Sequence, residues 1–269
     1  MRFPNSFLFL SLAGVILPLC TQAQGVISTV AGGPAPVENV NATLARLDGL
    51  RSLAVDAQGN AYIADGPHIR RVDAATGLIE TVAGNGQQTP LTDGIATQVA
   101  LSGPFDLQFD SKGKLLFIDE PRLMKFDPQT GLVATMTGQA NSPAEPFNGI
   151  SGFAPDAAGN VFLADQSTSK IYRIDGQSGA VTIFAGSGGG NFTGTPGGEG
   201  GPATQASLGG PYLLTVDAFG NVFFAEGSWL RRIDGKSGIV TTLMPFTVNN
   251  AVHREPCVWK RHRRRRTIL

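Results

Sequence analysis

Four acids stand at a fixed distance from another acid. Asp65, Asp119, Asp165 and Glu226 each follow an aspartate by nine residues: Asp56, Asp110, Asp156 and Asp217. Recurrent carboxylates suggest two chemistries, calcium binding and general acid–base work. A calcium loop needs several oxygen ligands closely spaced, whereas each turn here offers one aspartate. Ser/His/Asp catalysis needs a histidine, and His68 is the only one in residues 24–247. A metal-dependent reaction would want several His or Glu converging on one point, and the sequence offers no such set. Both cysteines, Cys20 and Cys257, lie outside that stretch, so no disulfide framework or Cys-based metal site is expected. The glycine-rich segment 186–201 lacks the Gly-Lys-Ser/Thr of a phosphate loop. No cofactor and no metal are expected. The acids are predicted to cap turns and bracket strands.

The elements that must hold them come from an internal repeat. Its anchor is Asp-x-x-Gly followed by Asn or Lys: Asp56 with Gly59, Asp110 with Gly113, Asp156 with Gly159, Asp217 with Gly220. After the second acid come Asp73, Asp127, Asp175 and Asp234, each followed four residues later by Gly77, Gly131, Gly179 or Gly238. Between these marks lie short runs such as Asn160-Val-Phe-Leu-Ala-Asp165, β-branched or aromatic and bounded by turn residues. Lys170-Ile-Tyr-Arg-Ile-Asp175 alternates apolar and polar, as a half-buried strand should. The aspartate can accept from backbone two residues on, and glycine tolerates positive φ, so each anchor makes a hairpin turn.

Each repeat therefore reads as a four-stranded antiparallel sheet with strands a, b, c and d. The repeats fall near 47–84, 101–138, 147–186 and 208–245. Such units assemble naturally as an all-β propeller, whose blades bury their faces on one another. Composition agrees. Of 269 residues 35 are glycine and 17 proline, 42% are hydrophobic and only 16% charged, which disfavours helical bundles and charged disordered chains.

Ala54-Val-Asp-Ala-Gln-Gly-Asn-Ala-Tyr-Ile-Ala-Asp65, followed by Ile69-Arg-Arg-Val-Asp73, resembles the NHL repeat. The resemblance covers nearly all of 25–247 and is closest to secreted bacterial NHL arrays. Those arrays carry a strand like Thr81-Val-Ala-Gly-Asn-Gly86 and a linker like Gly200-Gly-Pro-Ala-Thr-Gln-Ala-Ser-Leu208. Weaker linker copies appear at 42–47 and 96–101; the third repeat lacks one and ends at Phe147 instead. NHL propellers usually close with six blades, so the resemblance implies an incomplete ring here. It also brings in a rival function, because similar propellers include amidating and streptogramin lyases and gluconolactonase-like hydrolases. Fold does not decide between such activities.

The two ends read differently from the repeats. Arg2, the apolar run 7–19 and Thr21-Gln22-Ala23 form an export signal over residues 1–23, which predicts a secreted or periplasmic protein with no membrane span after cleavage. Residues 248–269 hold seven basic groups, including Arg263–Arg266, and no anchor or strand alternation. That change predicts a frame change or truncation, with a disordered or out-of-frame tail, rather than a functional arm. The remaining 24–247 carries 13 basic and 20 acidic groups, a surface unsuited to nucleic acid.

Strand direction sorts the loops. The a–b and c–d turns share one face, and the b–c tips share the other with the long d–a segments 33–51, 85–104, 139–151 and 187–211. Variable loops on a rigid scaffold are where binding normally sits. His68, Arg122 and Trp229 in three b–c tips, with Phe192 in the longest d–a segment, are the candidate contacts on that face, for a protein or carbohydrate partner. The expected role is a non-catalytic binding scaffold; the alternative is a lyase or lactonase with its site at the central channel.

Overall fold

Consecutive residues of a strand point to opposite sides of its sheet, so a run that is apolar at every position must be covered on both faces. The middle strands of this chain meet that condition. Leu115–Asp119 and Val161–Asp165 are buried at every residue. A computed structural model of the chain describes residues 38–87, 93–137, 147, 149–190 and 196–245. The leader 1–23, Phe192 and the tail 248–269 lie outside the described residues.

In chain order, β1 (Val40–Asn41), β2 (Leu50–Val55), β3 (Ala61–Asp65), β4 (His68–Val72) and β5 (Leu78–Ala83) form the first blade. The second contains β6 (Gly94–Ile95), β7 (Phe105–Phe109), β8 (Leu115–Asp119), β9 (Arg122–Asp127) and β10 (Leu132–Thr137). The third has β11 (Ile150–Pro155), β12 (Val161–Asp165), β13 (Lys170–Ile174) and β14 (Val181–Ala185). The fourth has β15 (Pro211–Val216), β16 (Val222–Glu226), β17 (Trp229–Ile233) and β18 (Val240–Pro245). All pairings are antiparallel, giving four up-and-down blades of four principal strands.

Neighbouring blades meet through apolar layers. Tyr62 and Ile69 pack with Leu107, Phe117 and Met124; Leu116 and Leu123 with Phe153 and Leu163; Phe162 and Ile171 with Leu214 and Phe224. Each such side chain contributes about 1.5–3 kcal/mol on burial. The first strands β2, β7, β11 and β15 are also stitched blade to blade. Leu107 N–H donates to Ser52 Oγ (2.8 Å), Phe153 N–H to Asp106 Oδ2 (3.1 Å), and Ser151 Oγ to the Pro211 carbonyl (2.7 Å). Position in the array shows in exposure. Leu53 of β2 is 69% exposed, while its counterparts Leu107, Phe153 and Leu214 are 4%, 0% and 7% exposed, each covered by the blade before it.

The linkers are more structured than loops. Short 3₁₀ turns at Ala42–Leu44, Ala96–Gln98 and Ala203–Gln205 bond through their first N–H to Gly77, Gly131 and Gly238 in the c–d turn of the blade they introduce. The latter two also pack on the outer strand of the blade before, and in the first two blades the residues just ahead of the turn add a two-residue fifth strand. Ala96, Val99 and Leu101, and likewise Ala203, Ala206 and Leu208, are buried between blades. Glu38, Asp93 and Glu199 then accept hydrogen bonds from both N–H and hydroxyl of Thr81, Thr135 and Thr242. The third repeat has Ile183 at that position, and it is exposed. Phe147 meets Tyr172 edge-on at 4.9 Å.

Each a–b turn closes on its aspartate. Asp56 accepts from the N–H groups of Gln58 and Asn60, and Gly59 supplies φ of 87°. The asparagine that follows also reaches a neighbouring turn. Asn60 Oδ1 accepts from Ala74 N–H, and Asn221 Oδ1 from Gly235 N–H, which ties the a–b turn to the c–d turn. Lys114 makes the same link in the second blade through an ion pair to Asp127 (2.6 Å). In the c–d turns, hydrogen bonds from the Ser178 and Gln177 backbone hold the Asp175 carboxyl down at about 2, against an ordinary 3.8. Asp73 and Asp234 are lowered by equivalent bonds, and Asp217 by Asn221. Two acids go the other way: burial raises Asp106 and Asp119.

A carboxylate whose folded value is depressed stabilises the fold above its ordinary range and loses that contribution as pH falls. The raised pair has the opposite sign, and the lowered group is more numerous. The thermal midpoint is therefore expected to fall as pH is lowered from about 5 toward 2, with Asp175→Ala showing less of that fall. Circular dichroism melts across this range check it; a midpoint that stays level or rises on acidification contradicts the assignment.

Candidate functional site

The two faces of the blades are built differently. One is closed by the a–b and c–d turns, bonded to each other and to themselves. The other carries the b–c tips and the entries to each first strand, and here the recurrent second acids are found. Asp65 accepts from Asp48 and Gly49 N–H, Asp119 from Ser102 and Gly103 N–H, and Glu226 from Gly209 N–H (2.8 Å). All four acids are buried. In these blades the acid thus fastens the end of strand b to the segment entering strand a.

The third blade has a longer tip, and its acid holds it. Asp165 turns to its own tip and accepts from Ser167 N–H, Thr168 N–H and Ser167 Oγ. That tip is four residues long, Gln166–Ser169, where the other blades use two. Between it and the tip of the second blade lies a cleft of about 510 Å³, lined by Phe105, Glu120, Gly149, Ile150, Ser151, Gln166 and Ser167. A second cleft of about 310 Å³ adjoins it, lined by Arg51, Ser102, Gly103, Phe105, Asp119 and Glu120. Arg51 donates to the Gly103 carbonyl at 3.2 Å across the first two blades.

Two buried arginines brace the same face. Arg231, fully buried, donates to Glu226 Oε1 (2.8 Å) and to the Gly197 carbonyl (3.0 Å). Arg70 donates to Glu38 Oε1 and the Arg46 carbonyl. The same position holds Met124 and Tyr172 in the other blades, both buried, so an ionic brace in two blades is replaced by apolar or aromatic packing in the other two.

His68, Arg122 and Trp229 each occupy the first residue of a c strand, β4, β9 and β17, all half-buried and all on the tip face. They belong to different blades, and the structure does not gather them into one pocket. The His68 ring packs beside Gly86, Arg122 stands across the hairpin from Asp119, and Trp229 pairs in register with Glu226 and Pro245. The clefts are lined instead by Arg51, Phe105, Glu120, Gln166 and Ser167. One signal for them was present: five residues before the anchor aspartates stand Arg51, Phe105, Ser151 and Tyr212, four different chemistries at one position. Among the described residues no three His, Cys, Asp or Glu side chains are placed to share a metal ion, and no helix is long and apolar enough to cross a membrane.

The sequence model of the teneurin NHL domain matches residues 78–260. The chain belongs to the teneurin NHL domain family. Relatives include teneurin-4 from Homo sapiens, 30% identical over 188 residues, covering 62% of this chain and 6% of that protein. Teneurin-3 from Danio rerio is 28% identical over 198 residues, covering 65% of this chain and 7% of that protein. The chain thus spans only a small part of the length of the curated relatives it matches. Among solved structures, a gluconolactonase from Xanthomonas campestris superposes with a TM-score of 0.51 at 18% identity, over 73% of this chain and 62% of that one. At that identity the likeness is one of propeller fold.

Removing one member of a buried ion pair leaves the other charged and unpaired. Glu226→Ala is expected to destabilise the protein by about 3 kcal/mol in urea unfolding, because the fully buried Arg231 then keeps only the longer ion pair to the exposed Glu199 (3.6 Å). A cost below about 1 kcal/mol would show that the brace does not hold this face together.

Proposed function

We propose that this teneurin-type NHL propeller is a non-catalytic binding scaffold, exported through residues 1–23, that contacts its ligand on the face carrying the b–c tips and d–a segments. The observation that carries this reading is the asymmetry between faces. The a–b and c–d turns satisfy their own polar groups, while both clefts and the four-residue tip of the third blade lie on the opposite side. The acids at that side favour binding over catalysis, since Asp65, Asp119 and Glu226 are committed to backbone N–H groups. The net acidity of residues 24–247 supports a protein or carbohydrate partner over nucleic acid. Further blades, up to the usual six, would cover the exposed Leu50, Leu53 and Val55.

The test compares the two faces. The full chain is applied to immobilised panels of extracellular proteins and glycans. Arg122→Ala and Trp229→Ala on the tip face are expected to weaken capture by about tenfold or more, whereas Lys112→Ala and Ser237→Ala on the turn face leave it within about twofold. Equal losses from both faces overturn the assignment. Turnover of a lactone by the purified chain, with a stoichiometric metal, overturns the non-catalytic role in favour of the lactonase reading.

A further inference from the structure

The two clefts beside the second blade are one site divided by a ring. Phe105 and Glu120 line both, so the combined groove runs from Arg51 across the Phe105 ring to Gln166 and Ser167. Part of the Phe105 side chain packs on the apolar layer between the second and third blades, which fixes the ring before any ligand arrives and lowers the entropy cost of stacking on it. Glu120 is exposed and makes no ion pair with any described residue. Ser167 Oγ donates to Asp165 and keeps lone pairs for accepting. Arg51 keeps donors beyond the one given to Gly103.

The chemistry of this lining selects a class of ligand. An anion would meet Arg51 but also Glu120 and the buried Asp119. A cation would meet Glu120 but also Arg51, with Arg122 across the hairpin from Asp119. A neutral polyol meets no such conflict. Its C–H face can lie on an aromatic ring, adjacent hydroxyls can donate together to one carboxylate, and amide, hydroxyl and guanidinium groups serve the remainder. The volumes, about 510 and 310 Å³, lie within the range of small-molecule sites. We infer that the groove around Phe105 is a saccharide-binding site, with Phe105 as the stacking platform, Glu120 as acceptor for paired hydroxyls, and Arg51, Gln166 and Ser167 as the flanking polar groups. This rests on the binding role proposed above and names the ligand class for it.

Ligand-observed saturation-transfer NMR on the full chain tests it, with glucose, galactose, rhamnose and N-acetylglucosamine as probes and N-acetyl-arginine amide as a cationic control. At least one sugar is expected to receive saturation on its ring C–H protons, with a dissociation constant near or below about 1 mM. Glu120→Gln and Gln166→Ala, both at exposed positions, are expected to weaken it about tenfold with unchanged melting, and Phe105→Leu by about tenfold or more. No transfer to any sugar, transfer unaffected by Glu120→Gln, or transfer to the arginine amide alone overturns the assignment. Capture of a protein through the tip face that survives Glu120→Gln and is not competed by any of the four sugars overturns the saccharide assignment only, leaving the scaffold role in place.

Discussion

Burial between neighbouring blades is the constraint on which the other features depend. A four-stranded sheet that is apolar on both sides is not stable alone in water, since each uncovered leucine or phenylalanine forgoes about 1.5–3 kcal/mol. Stacking solves this and fixes geometry at once. Side chains such as Phe117 and Leu116, adjacent in sequence, serve different interfaces, so a shift of one residue in β8 would reverse both. Register is thereby pinned along the array. The tips and entry segments inherit fixed positions from it, which is what lets short polar loops hold a groove open between two blades.

Much of this was legible because repetition separates architecture from exception. The offsets from Asp56, Asp110, Asp156 and Asp217 mark the turns in four copies, and alternation in runs such as 170–175 marks strands. The paired role of Asn60, Asn160 and Asn221, holding two turns at once, was not legible: the residue recurs after the anchor glycine, but spacing does not tell which turn its side chain reaches. Nor was the depth of the linkers. Ala96 and Ala203 look like loop residues, yet they are buried wedges, since small side chains let the linker backbone approach the outer strand closely. The d–a segments are accordingly less free than their irregular length implies.

The candidate site shows the same division. Trp, Arg and His at the tips mark the face that carries the irregular loops, but the clefts form where the repeat breaks its own rules. Asp165 bonds to its own four-residue tip, and the sequence ahead of that strand lacks the linker motif of the other repeats. Phe105 and Glu120 line one cleft with Gln166 and Ser167, a meeting of two blades that cannot be read from either repeat alone. Regular repeats supply the scaffold here, and the one irregular junction supplies the groove.

Backbone hydrogen exchange in β2 and β11 tests the central claim most directly. The two strands hold the same position in their blades and pair with a strand b in the same way, but only β11 has an apolar layer on each side. If blade-to-blade burial is the organising interaction, hydrogen-bonded amides in Ile150–Pro155 exchange at least about tenfold more slowly than those in Leu50–Val55. Equal protection in the two strands, or slower exchange in β2, would contradict packing between blades as what governs the fold.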